Sequence, residues 1–183
     1  MDYLKSFEKA IIKSKELDLI VPNFISNEHQ YLDKATITNI QKLLTINKPS
    51  AEDIFKQCFR FHAEIRQPLE LLLQTKIFYT IGYVTVENDE FFKTTYDELS
   101  SLLKTKIKKP LSAHAWLTLP SMEIIDFTFT STYLMKTGEF DGNLHVITKH
   151  ADSLTGNMKY HPMLIGTDFL FKSGAIKGNP SWV

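Results

Sequence analysis

Cys58 is the only cysteine in 183 residues, and His114 and then Asp126 follow it along the chain. A thiol, an imidazole and a carboxylate in that order supply a nucleophile, a base and a group to orient the base. The chemistry they predict is acyl transfer. Cys58 would attack an amide, ester or thioester carbonyl, His114 would protonate the leaving group, and the thioester acyl-enzyme would pass to water or to an amine. A free thiol of pKa about 8.5 is mostly protonated at neutral pH, whereas one paired with an imidazolium or set at a helix N-terminus is thiolate-prone. Asp126, on the far ring nitrogen, would hold the tautomer and stabilise the imidazolium.

Two strands must place the base and the acid. Ala113 to Leu119 and Met122 to Thr130 are rich in β-branched and aromatic residues and flank Pro120-Ser121, which predicts a hairpin. Side chains alternate across a strand, so His114, Trp116 and Thr118 share one face with Ile124, Asp126 and Thr128 if paired residues have an even index sum. A three-residue loop at Leu119-Pro120-Ser121 gives that parity and sets His114 opposite Asp126. The other face then carries Ala115, Leu117, Leu119, Ile125, Phe127 and Phe129, and it is the expected core face. A two-residue loop would separate the pair, but it would also break up this apolar row.

Helices must place the nucleophile. Tyr3, Leu4, Phe7, Ala10 and Ile11 recur at helical spacing after Asp2, predicting a helix over about the first 17 to 20 residues, closed by Pro22. A second covers Ile37, Ile40, Leu43 and Leu44, with Thr36 or Thr38 as cap. Ser50-Ala51-Glu52-Asp53 has the form of a capping box, and Ile54, Phe55, Cys58, Phe61, His62 and Ile65 follow at three- and four-residue spacing. That stripe buries Cys58. A continuous helix would leave the thiol far from an N-terminus, so a break between Ile54 and Cys58 is expected. Pro68 is expected to break or restart the helix. Ile77 to Val86 predicts a strand, with shorter ones near Leu144 to Thr148 and Met163 to Ile165 among Gly/Asn turns. The fold class expected is α+β in a single domain over 1–183, with N-terminal helices (about 1–75) packed on an antiparallel β-sheet (about 76–172).

Cys58-Phe59, the strand ending Ile81-Gly82-Tyr83-Val84, His114-Ala115-Trp116 and Ile125-Asp126-Phe127-Thr128-Phe129 resemble, in this order, the papain-like and transglutaminase-like superfamily. More closely, they resemble a group of small microbial proteins with Cys-Tyr/Phe, a Gly-Tyr strand, His-Ala-Trp and Asp-Pro-Thr-Trp/Phe. It covers roughly Phe55 to Thr130. The chain departs from that pattern in having Arg60-Phe61-His62-Ala63 where Asn-Ala is common, and Phe127 where Pro is common. The resemblance implies a papain-like fold with Cys58 as nucleophile, His114 as base and Asp126 as orienting acid.

The rest of the sequence bounds this reading. Twenty-one basic and 21 acidic residues balance, so no global field favours nucleic acid, and no stretch approaches the roughly 20 apolar residues of a membrane span. The run Lys104, Lys106, Lys108 and Lys109 reads as a solvated linker. The lone thiol and an N-terminus without a signal-peptide pattern suggest a reducing, cytoplasmic setting. The expected partner is a peptide, amide or protein substrate, with Gln57, Trp116 and His62 lining its cleft and Trp116 walling the site. His62, one helical turn after Cys58, is a rival base. His145, His150, Asp152 and His161 match no compact ligand spacing, so neither a metal nor another cofactor is expected. The alternatives are amine acyl transfer in the transglutaminase manner, or a non-catalytic module that binds a peptide or protein on the same fold.

Overall fold

The computed structural model of the chain describes residues 2–47, 57–106 and 111–176. Helix α1 (Tyr3–Glu16) begins where the Asp2 carboxylate accepts the Leu4 N–H at 3.1 Å, and it buries Tyr3, Phe7 and Ala10. It ends short of Pro22, because the chain turns at Leu17 and Asp18, the latter at φ 55°. Helix α2 (Lys34–Asn47) is capped by Asp33, which accepts the Thr36 N–H at 2.7 Å. Thr38, a predicted cap, instead turns its hydroxyl back to the Lys34 carbonyl inside the helix.

Helix α3 (Cys58–Leu73) starts at the thiol itself, after a non-helical Gln57 (φ −113°, ψ 22°). The capping box at Ser50–Asp53, with Ile54 and Phe55, lies outside the described residues. Pro68 does not break α3. Ile65 and Leu69, buried on either side of it, hold the helix against the sheet and offset the lost hydrogen bond.

The sheet has six strands: β1 (Phe78–Val86), β2 (Asp89–Phe91), β3 (His114–Thr118), β4 (Glu123–Asp126), β5 (Ile147–His150) and β6 (Lys159–Ile165). Every pairing is antiparallel. β1 is central, with β6 on one edge and, on the other, β3 along Phe78–Gly82 and β2 along Val84–Val86; β4 and β5 follow β3. The architecture is α+β, yet the chain does not divide into a helical half and a sheet half. Helices α4 (Tyr96–Thr105), α5 (Phe129–Thr137) and α6 (Asp168–Ser173) interleave with the strands. A capping box between Thr95 and Glu98 opens α4, so Lys104 ends a helix instead of lying in a linker; Lys108 and Lys109 are outside the described residues. The strand expected to reach Thr130 stops at Asp126, because α5 starts at Phe129.

The hairpin keeps the expected parity in a different register. Leu117 faces Ile125 and Thr118 faces Ile124, and the Leu119 N–H meets the Glu123 carbonyl at 2.8 Å. The loop is therefore Pro120-Ser121-Met122, with Met122 at φ 64°, one residue later than predicted. Asp126 falls opposite Trp116 and diagonal to His114. That diagonal is still within reach of long side chains.

Both faces of the sheet are buried, where the sequence suggested one. Ala115, Leu117, Ile125 and Phe127 join Ile65 and Leu69 of α3 in one core. Trp116, Ile124, Phe129 and Tyr160 join Tyr3, Phe7 and Ala10 of α1 in the other. On that second face Phe92, Phe129 and Tyr160 surround His114, and the pair it forms with Asp126 is buried.

Candidate functional site

His114 is the first residue of β3 and Asp126 the last of β4, so both stand at the open end of the hairpin, where the start of α3 also arrives. His114 Nε2 lies 2.6 Å from Asp126 Oδ2, with the two residues 1% and 0% exposed. Burial disfavours both charges. The pairing outweighs it: Asp126 and its hydrogen bond, followed by contact with Cys58, raise the His114 pKa well above the ordinary imidazole range, and His114 in turn holds Asp126 below the usual carboxylate range.

Asp126 has no idle lone pair. Its Oδ1 accepts the Thr128 N–H at 2.8 Å, the Thr128 hydroxyl at 3.2 Å and the Phe129 N–H at 3.1 Å. These are groups at the start of α5, where a negative charge is favoured. Its Oδ2 accepts the Tyr160 hydroxyl at 2.7 Å beside His114. Tyr160, on β6, was missed by sequence reasoning: the strand was expected only from Met163, and nothing local marks a contact 34 residues away. Burial, and then the Asp126 charge, push its phenol well above the ordinary value, so it remains a donor.

The thiol of Cys58 is half-buried and lies close enough to the His114 ring to help hold it toward its charged form. Asp126 occupies Nε2, so Nδ1 is the ring nitrogen left for the sulfur. Cys58 is the first residue of α3, and Gln57 gives no side-chain cap. The opening amides of a helix lack an acceptor within it, so the first residue, which here carries the thiol, is a favourable place for negative charge.

His62 is 0% exposed and makes two different contacts. Its Nδ1 lies 2.9 Å from the Cys58 carbonyl, and its Nε2 lies 3.1 Å from the Phe127 amide. A carbonyl only accepts and an amide N–H only donates, so the proton is on Nδ1 and the lone pair on Nε2. The 3.5 Å approach of Nε2 to Asp126 Oδ1 is therefore not an ion pair. Burial lowers the His62 pKa from 6.5 to about 4 against the pull of Asp126, which agrees with a neutral ring. Its buried Nε2 faces a backbone amide instead of the thiol, so His62 is not placed as the rival base, nor does it line an open cleft.

Aromatic rings hold the imidazole of His114. Phe92, half-buried and at φ 61°, stacks on it at 5.3 Å and 20°, while Trp116 lies at 6.0 Å and 23° on the same strand. A bulky residue at positive φ is uncommon and persists only where surrounding packing enforces it. Trp116 is wholly buried, with Nε1 donating to the Tyr3 hydroxyl at 2.8 Å, so it walls the base and offers no surface to substrate. Of the expected cleft residues only Gln57 is exposed. Gly82 of β1 pairs with His114, and a Cβ there would lie 2.0 Å from the His161 carbonyl oxygen and 2.8 Å from the Trp116 ring.

The other histidines stand apart. His145 pairs with Asp141 at 3.0 Å, His150 Nδ1 accepts the Asp152 amide, and His161 meets Thr85 at 3.0 Å. Among the described residues no group of three His, Cys, Asp or Glu side chains is arranged to hold a metal ion, and no helix is long and apolar enough to cross a membrane. The chain matches no protein-family model, no curated protein and no solved structure.

Proposed function

We propose that this chain is a cysteine-dependent acyl-transfer enzyme, an amidase or peptidase of papain-like or transglutaminase-like type, with Cys58 as nucleophile, His114 as base and Asp126 as the orienting acid. One observation carries the proposal. The His114 ring has a fully hydrogen-bonded, buried carboxylate at 2.6 Å on Nε2 and the half-buried Cys58 thiol close by, at the first residue of a helix.

The steps follow from that geometry. The thiol proton passes to His114 Nδ1, and the imidazolium it forms is stabilised by Asp126. The sulfur adds to an acyl carbonyl, whose developing oxyanion is offered the amides at the start of α3, that of Cys58 foremost. Collapse breaks the bond to the leaving group, which takes the Nδ1 proton and departs, leaving a thioester on Cys58. Water or an amine then gives a proton to Nδ1 and attacks the thioester, and the returning proton regenerates the thiol. A nucleophilic thiol operates where thiols stay reduced, so a reducing compartment is part of the proposal.

Iodoacetamide labelling with site mapping tests it, followed by intact-mass detection of an acyl adduct from an activated ester. A free thiol of pKa about 8.5 is roughly 0.3% thiolate near pH 6, so a paired Cys58 should react about 10- to 100-fold faster than glutathione there, even allowing for its weaker intrinsic nucleophilicity. His114→Ala should bring it down to the free-thiol rate. A Cys58 that labels no faster than glutathione and takes up no acyl group would rule the mechanism out.

A further inference from the structure

We propose that His62 is a positioning residue for the nucleophile: a neutral imidazole that ties the first turn of α3 to the end of β4 and so holds the Cys58 thiol over His114. This rests on the acyl-transfer reading above. His62 is joined to two of its three residues through their own backbone surroundings. One bond goes to the carbonyl of Cys58 itself, the other comes from the amide that directly follows Asp126.

The two segments also meet through the Phe61 and Phe127 rings at 5.5 Å, and the Tyr79 hydroxyl donates to the Phe59 carbonyl at 2.8 Å, but neither contact bonds Cys58 itself or the Phe127 amide. Cys58 belongs to a helix that packs through Ile65 and Leu69, further along its length, and its N-terminal turn has no side-chain cap. Phe127 has just left β4, whose last pairing with β5 is Asp126 with Ile147, so its amide has left the ladder. The imidazole satisfies that amide and clamps the turn with the same ring. It is held by Phe127 at 5.6 Å and by Phe61 at 6.1 Å, and it meets the His114 ring at 6.3 Å with the two planes at 84°. The ring must stay neutral to do this. A proton on Nε2 would oppose the Phe127 N–H and offer Asp126 Oδ1, 3.5 Å away, a second cation in competition with His114.

The chemistry prescribes the replacements. A glutamine amide can donate and accept at once, whereas leucine fills space and does neither. Alkylation of Cys58 is measured near pH 6 and near pH 10 in wild type, His62→Gln and His62→Leu, each shown by circular dichroism to be folded at the assay temperature. His62→Leu should react about 10- to 100-fold more slowly near pH 6 and converge with wild type near pH 10, where any thiol is ionised. His62→Gln should stay within about threefold of wild type. A merely structural role would lower the melting temperature of His62→Leu and leave its rate near pH 6 unchanged, which overturns the proposal. Equal losses in both variants overturn it as well, because they make the imidazole itself the base. Long-range ¹⁵N spectra of histidine-labelled wild type keep the question open to refutation if His62→Leu does not fold. They should show one neutral histidine protonated on Nδ1 throughout the assay range, and a charged or Nε2-protonated His62 would refute the assignment. Slow alkylation of wild type would sink the acyl-transfer reading and this inference together; fast wild type with an indifferent His62→Leu sinks this inference alone.

Discussion

Asp126→Asn should separate the charge of the site from its architecture. Alanine is the wrong probe. Removing the carboxylate would orphan the Thr128 and Phe129 amides, the Tyr160 hydroxyl and His114 Nε2, all buried. At about 1–3 kcal/mol for each unsatisfied group the cost is about 4–12 kcal/mol, comparable with the whole stability of a domain. Asparagine can meet every one of these groups. Its oxygen takes the place of Oδ1 before the α5 amides, and its two N–H donors face Tyr160 and His114, each of which can turn to accept. Charge-assisted bonds become neutral ones, at about 1 kcal/mol each, and the relief of no longer burying a charge offsets part of that. The fold should survive. The site should not, because an amide donating to Nε2 forces the His114 proton onto Nδ1, facing the sulfur it is meant to deprotonate. Turnover should fall by about 10³- to 10⁴-fold, and Cys58 alkylation near pH 6 should drop about 10- to 100-fold toward the free-thiol rate. Stopped-flow or mass-spectrometric alkylation, alongside circular dichroism, reads both. A folded Asp126→Asn protein that alkylates like wild type would show that Asp126 does not set the charge of His114, and the triad assignment would fail.

Tyr160→Phe removes the 2.7 Å bond to Asp126 Oδ2 but leaves the carboxylate its other acceptor contacts, so about 1 kcal/mol of stability and a several-fold drop in turnover are expected; unchanged kinetics would mean that His114 and the α5 amides orient Asp126 unaided. Gly82→Ala drives a Cβ into the His161 carbonyl at 2.0 Å and should cost about 3 kcal/mol or more, read as a lowered melting temperature, whereas near-wild-type melting would show that the β1–β6 bulge can give way. Stability should also depend on pH through the site. His62 falls from 6.5 to about 4 on folding, so between those values the unfolded chain binds a proton that the folded one does not, and stability drops by about 3 kcal/mol as pH falls across that window. The depressed Asp126 adds a loss at still lower pH, and the raised His114 gives a loss on the alkaline side, as pH rises through its folded value. Urea unfolding at several pH values should show the acidic slope in wild type and a flatter one in His62→Gln; equal slopes would mean that His62 is charged when folded.

The sequence by itself determined what depends on neighbours along the chain. Side-chain alternation has a period of two, so even a hairpin loop one residue away from the expected position left His114 and Asp126 on one face. The apolar stripe and cap of α1 were legible for the same reason, since helical spacing and capping are local, whereas the α3 start at Cys58 was expected from the needs of the thiol and carries no side-chain cap. Local signals failed where packing overrules propensity: α3 runs through Pro68 because Ile65 and Leu69 are buried on both sides of it, and β4 gives way to α5 as soon as Asp126 caps the turn. Tertiary structure alone decided the electrostatics. Only folding brings Phe92, Phe129 and Tyr160 around His114 and dries its pair with Asp126. Only folding brings Tyr160 onto the carboxylate from β6, and presents the lone Phe127 amide to His62 so that this ring stays neutral while His114 is held toward its charged form. Two histidines of one sequence are pushed in opposite directions because Phe127 and Asp126, which meet them, come from elsewhere in the chain, and burial magnifies whatever each partner offers.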